Sequence, residues 1–143
     1  MSDVQYLTLP STASGLAHKY GPQVHLLSNA YAMSMLARLC EPTTTQPEVN
    51  HLVSSLYDHL LGAVVSHVLR RVEIQSPTRM AAYTDKGMYR GQVIDRGQRV
   101  VVVDIARAGI LPSHRFYEGM HHVVDAASIR QDHVVASRTT DTS

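Results

Sequence analysis

The spacing of apolar positions changes along the chain, and each change predicts an element. Between Pro47 and Arg70, the residues Leu52, Val53, Leu56, Leu60, Val64, Val65 and Val68 recur with a helical period. Pro47 and Glu48 suit the first turn of that helix, and Arg70 and Arg71 suit its C-terminal end and the dipole there. Ahead of it, Ser28–Leu39 predicts a shorter helix, capped by Ser28 or Asn29, with Ala32, Met33, Leu36 and Cys40 near one face. The run EPTTTQPEV separates the two. Val72–Ile74 predicts a short strand, stopped at Ser76-Pro77, and the polar stretch 78–98, with Gly87, Gly91 and Gly97, predicts a hairpin or long loop. Arg99–Ala106 then carries the consecutive valines Val100 to Val103. A run without alternation predicts a strand buried on both faces, as in a parallel sheet covered by helices. Ile110–Met120 reads as a helix that tolerates Pro112 in its first turn, and His133–Ala136 as a further strand.

This order predicts an α/β protein: a mostly parallel sheet flanked by helices, three layers deep, behind an N-terminal helical segment. Residues 1–21, with Val4, Tyr6, Leu7 and Leu9 ahead of Pro10 and STASG, read as an N-terminal arm or edge strand and turn, leaving 22–143 as the domain.

Composition narrows the classes. The chain has 143 residues, 44% hydrophobic and 17% charged, which suits one folded domain rather than a disordered chain. A formal net charge of +1, no Trp and a single Phe give no footprint for nucleic acid. No apolar run reaches membrane-spanning length, and an acidic start replaces the basic region of a signal peptide, so neither a membrane nor secretion is expected. Cys40 is the single cysteine, which excludes an intrachain disulfide and fits a cytoplasmic compartment. Two residues before Pro42, it reads as a small buried hydrophobe.

The chemistry concentrates at the exit of the valine strand, in the turn Ile105-Ala106-Arg107-Ala108-Gly109. Ligands of open α/β sheets sit outside the carboxyl ends of the strands, where a following helix turns its N–H groups outward. Ala106, Ala108 and Gly109 keep the turn small enough for backbone amides to approach an anion, and the Arg107 fork matches two phosphate oxygens. The same residues also suit a surface arginine bonded to a neighbouring carboxylate or carbonyl.

With the helices before it, VVVVDIARAGIL resembles the uracil phosphoribosyltransferase family, whose apolar strand ends in a turn of the form I-L-R-A-G behind a helical hood and a short strand ending in Thr-Pro. Val72–Pro77 matches that strand, with Ser76 in place of threonine. HVVASRTTDTS is similar to the strand that ends in a tyrosine–arginine pair, with Ser137 and Arg138 in those places.

The resemblance implies a type I phosphoribosyltransferase fold and transfer of a phosphoribosyl group from phosphoribosyl pyrophosphate to N1 of uracil, giving UMP and pyrophosphate. It implies that Arg107, Ala108, Gly109 and Arg138 contact phosphoribosyl pyrophosphate, that Mg²⁺ assists, and that the assembly is a homo-oligomer. The family's tyrosine–glutamate pair is replaced by Ala63 and Val64, and Asp104 stands where proline is usual. The phosphate loop and the uracil-reading segment are expected to follow the Arg138 loop. The expectation is that a companion C-terminal polypeptide or half supplies them, and that this chain alone binds no nucleobase. An alternative reading is a non-catalytic phosphoribosyltransferase-like subunit acting in assembly or nucleotide sensing.

Two other groups invite chemistry. His51, His59 and His67 recur every eight residues, a spacing that rotates successive side chains by roughly 80° on a helix and prevents a shared ion, and His121-His122 diverge if extended. Structural or solvated roles are expected. The cations Arg79, Lys86, Arg90, Arg96 and Arg99 read as a solvated hairpin or as a further contribution to a phosphate site.

Overall fold

The computed structural model describes residues 15–137. Helix α1 (Ala30–Leu39) begins at Asn29, whose side chain accepts a 2.8 Å hydrogen bond from the Ala32 amide. Helix α2 (Glu48–Val68) follows. At its end, the Arg71 guanidinium donates to the Ser66 carbonyl, one of the acceptors that a helix terminus leaves open. Arg70 turns away to pair with Asp95.

Strands β1 (Arg71–Pro77) and β2 (Met88–Ile94) form an antiparallel hairpin, so the short strand expected at Val72–Ile74 runs on through Ser76 and Pro77. Pro77 closes the strand at the hairpin end, opposite Met88, where a missing donor costs least. The polar stretch 78–98 thus supplies the hairpin's second strand. Arg90 lies exposed on it, and Arg96 pairs with Asp125 at 2.9 Å.

Strand β3 (Val100–Ala106) pairs in parallel with β4 (Ile129–Val135), in the register Val100 opposite Ile129 and Asp104 opposite His133. Helix α3 (Ile110–Met120) and a short 3₁₀ turn (Ala126–Ser128) connect them. The crossover is a β–α–β unit, as parallel pairing requires. The two pairs form separate sheets, one parallel and one antiparallel, which makes the molecule α/β without the single mostly parallel sheet that was expected.

The buried core comprises Val65 from α2, Met120 at the end of α3, Val124 in the turn that follows, and Ile129 at the start of β4, with Leu61, Leu69, Val100 and Phe116 packed against it. Gly119 gives α2 close access to α3, since a Cβ there would run into Leu61. Asp58 accepts two hydrogen bonds from Arg115 across the same contact, at 2.6 and 3.2 Å.

Two burial expectations are corrected. The valine strand is covered on one face only: Val101, Val103 and Ile105 are 57%, 57% and 64% exposed, because no element lies over them among the described residues. Cys40 is exposed, because it caps the end of α1, a helix with no buried residue. The arm 1–21 falls mostly outside the described residues. Its described end makes a single bridge between Gly15 and Leu27.

Candidate functional site

The strand, turn and helix predicted around Arg107 form as a unit. Beyond Ala106 the chain turns at once into α3. The Gly109 N–H donates to the Ile105 carbonyl at 3.1 Å, and the Ser113 N–H to the Gly109 carbonyl at 3.0 Å. A Cβ on Gly109 would lie 2.7 Å from the Asp104 Cβ and 3.0 Å from the Ile105 oxygen, so glycine is what lets the turn close onto the strand end. The Ala106–Arg107 peptide bond is cis. Arg107 and Ala108 are exposed. Among the described residues, the Arg107 guanidinium has no hydrogen bond or ion pair, and the Ala108 N–H has no backbone acceptor.

These residues form one wall of an open concavity of about 690 Å³ at the carboxyl end of β3. Asp104 and Ser113 line it too, with Tyr57 from α2 and Phe116 from α3. The two rings meet edge to face, 6.1 Å between centroids. An arginine fork, an open amide and an apolar wall suit a ligand with an anionic end and a less polar body.

Beneath the turn lies a polar network that local sequence features do not predict. Asp104 is buried, and its Oδ2 accepts from the Ser113 hydroxyl at 2.5 Å and from His133 Nδ1 at 2.7 Å. Gln131 in turn donates to the Ser113 oxygen at 2.9 Å. Asp104 Oδ1 is buried with no hydrogen-bond partner among the described residues. The Ser113 hydrogen bond holds the Asp104 carboxyl below the usual carboxylate range; burial opposes that shift, and the His133 contact adds to it. The His133 side chain is 45% exposed, and its bond through Nδ1 leaves Nε2 without a partner among the described residues.

Arg107, Ala108 and Gly109 are consecutive and lie in the turn between β3 and α3, lining the concavity. Arg138 lies outside the described residues. Ala63 and Val64 sit elsewhere, lining a small apolar hollow of about 140 Å³ with His25, Leu27, Leu60 and His67. Sequence reasoning missed Ser113, His133 and Tyr57 as site residues and treated Asp104 only as a departure from a pattern. One signal pointed to Asp104: an acid directly after four valines in a strand needs a partner, because an unpaired buried charge is costly.

The other histidines take local roles. His59 pairs with the Asn29 side chain at 2.5 Å, His67 lies against the His25 ring, and His121 bonds the Tyr117 carbonyl at 2.7 Å. Among the described residues, no three His, Cys, Asp or Glu side chains converge on a point that could hold a metal ion. No helix among them is long and apolar enough to cross a membrane. The sequence matches no protein-family model, and no curated protein matches it at a significant level.

Proposed function

We propose that this chain carries the pyrophosphate-binding part of a uracil phosphoribosyltransferase-like enzyme with a type I phosphoribosyltransferase fold. On this reading, Arg107 and the Ala108 and Gly109 backbone hold the pyrophosphate of phosphoribosyl pyrophosphate, and Arg138 assists from beyond β4. The phosphate-loop and uracil-reading residues come from polypeptide outside this sequence, in a companion chain or a C-terminal half. The assembly is a homo-oligomer, by the same resemblance, and the single cysteine, Cys40, fits a cytoplasmic compartment.

The observation that carries the reading is the Arg107 fork, unpaired among the described residues, beside an open amide at the carboxyl end of a parallel strand. In the reaction, the bond from ribose C1 to the pyrophosphate oxygen breaks, uracil N1 bonds to C1 and gives up its proton, and pyrophosphate departs. Negative charge grows on the leaving oxygen while the ribose becomes oxocarbenium-like. A guanidinium fixed at the leaving group stabilises that charge more strongly in the transition state than in the substrate, which is the condition for raising turnover.

Mg²⁺ finds no resident site among these residues. Among the described residues, Asp104 is the one carboxylate lining the concavity, and its Oδ1, without a partner among them, is sealed from solvent.

In the assembly that forms UMP from uracil and phosphoribosyl pyrophosphate, Arg107→Ala is expected to lower kcat by about 10²–10³-fold, the usual loss for one transition-state donor. Unchanged turnover would overturn the assignment.

A further inference from the structure

We infer that Arg99 and Arg130 form a second anion site, at the opposite end of the β3–β4 pair from Arg107, and that it takes a phosphate monoester. The inference does not rest on the reading of Arg107.

Arg99 directly precedes β3 and Arg107 directly follows it. The extended strand between them holds the two about 25 Å apart, so they cannot share one phosphate. Arg99 instead lines a separate concavity of about 390 Å³, with Arg130 at the start of β4 and with Val100, Val101, Ala127 and Ser128. The register explains how the two arginines meet. Val101 stands opposite Arg130, so Arg99, two residues earlier, is its diagonal neighbour across the pair. Ordinary strand spacings put their Cα atoms about 8 Å apart, close enough for both side chains to reach one ligand.

Charge makes this hollow an anion site. Both arginines are exposed, and among the described residues neither guanidinium has a hydrogen bond or an ion pair. The Ser128 hydroxyl has no partner among them either. No acid lines the hollow among the described residues. Asp125 is committed to Arg96 at 2.9 Å, and Asp132, on the same face of β4 as Arg130, makes no ion pair with it. Two like charges therefore share one hollow, and an anion between them is attracted by both.

The donors select the class of anion. One guanidinium fork satisfies both oxygens of a carboxylate, which leaves nothing for the second fork. A phosphate monoester carries three terminal oxygens and close to two negative charges, enough for two forks and a hydroxyl. Val100, Val101 and Ala127 offer an apolar side to the group that the phosphate carries.

The test uses the full chain at pH 8 and low salt, with phenyl phosphate and inorganic phosphate titrated in separate arms and followed by NMR at the Val101 and Ser128 amides. Both anions should give saturable shifts there, phenyl phosphate the tighter because its ring meets the apolar side. Arg99→Gln and Arg130→Gln should each weaken phenyl phosphate about 10–100-fold, the loss of a charge-assisted contact. Any response of the Ala108 and Gly109 amides should stay as in wild type. Both side chains are exposed, so the fold should tolerate these changes, and the core Ile129 methyl resonances check that it does. Binding of inorganic phosphate alone would overturn the assignment to a monoester. Equal binding by wild type and both variants, or no shift at Val101 and Ser128, would overturn the site and leave the Arg107 reading standing.

Discussion

Val100, Val102 and Ile129, on one face of the β3–β4 pair, turn toward α3 and the core, whereas Val101, Val103 and Ile105, on the other face of the same strand, stand in solvent. Within β3 the apolar residue types are nearly the same on both sides, so apolar character does not decide which side of that strand is buried. The covering element decides it. The covered face also ends differently: its row continues into Asp104, and across the register into Gln131 and His133, which tie the sheet to Ser113. The packed face thus passes from core to candidate site within one strand. The open face sets Val101, Val103 and Ile105 of β3 beside Arg130, Asp132 and Val134 of β4.

The contrast has a measurable form. Ile129→Ala, on the packed face, should cost about 2–5 kcal/mol in denaturant unfolding, through lost burial and a residual cavity. A cost under about 1 kcal/mol would mean that the face is not packed as described. Gly109→Ala comes next, at about 1–3 kcal/mol, because its Cβ would press on Asp104 and the Ile105 carbonyl. It should also move the Ala108 amide resonance; a neutral substitution would break the link between strand end and turn. Acid distinguishes the faces again. The folded-state pKa of Asp104 is lowered, so its stabilising contribution is full above the ordinary carboxylate range and is lost as pH falls through about 4 and below. The stability gap between wild type and Asp104→Asn should therefore narrow between pH 6 and pH 3, and a constant gap would remove the carboxylate from the account. Smallest of all is Val103→Thr on the open face, expected within about 0.5 kcal/mol of wild type. A larger loss would show that something covers it.

These faces also show what the sequence discloses. Helix α3 was legible to the residue, because Pro112 fits a first turn and the apolar pattern stops at Met120. The strand Val100–Ala106 was legible too, but its exposure was not: valines on both faces erase the alternation that would have marked an open side. The start of β4 escaped notice because Arg130, Gln131 and Asp132 look like loop, and Gln131 earns its place only through Ser113, 18 residues away. The Arg107 turn could be read locally, since its small residues and its cation are adjacent. The Asp104–His133 contact spans 29 residues, and no local periodicity carries such a pairing.

The central claim is that the turn after β3 holds a pyrophosphate through Arg107. Its most direct test is titration of the full chain with phosphoribosyl pyrophosphate, followed at the Ala108 and Gly109 amides. The account predicts saturable shifts at those amides in wild type, with affinity about 10–100-fold weaker in Arg107→Ala, the loss of a charge-assisted hydrogen-bonded contact. Equal binding by the two proteins, or no shift at the turn, would contradict it.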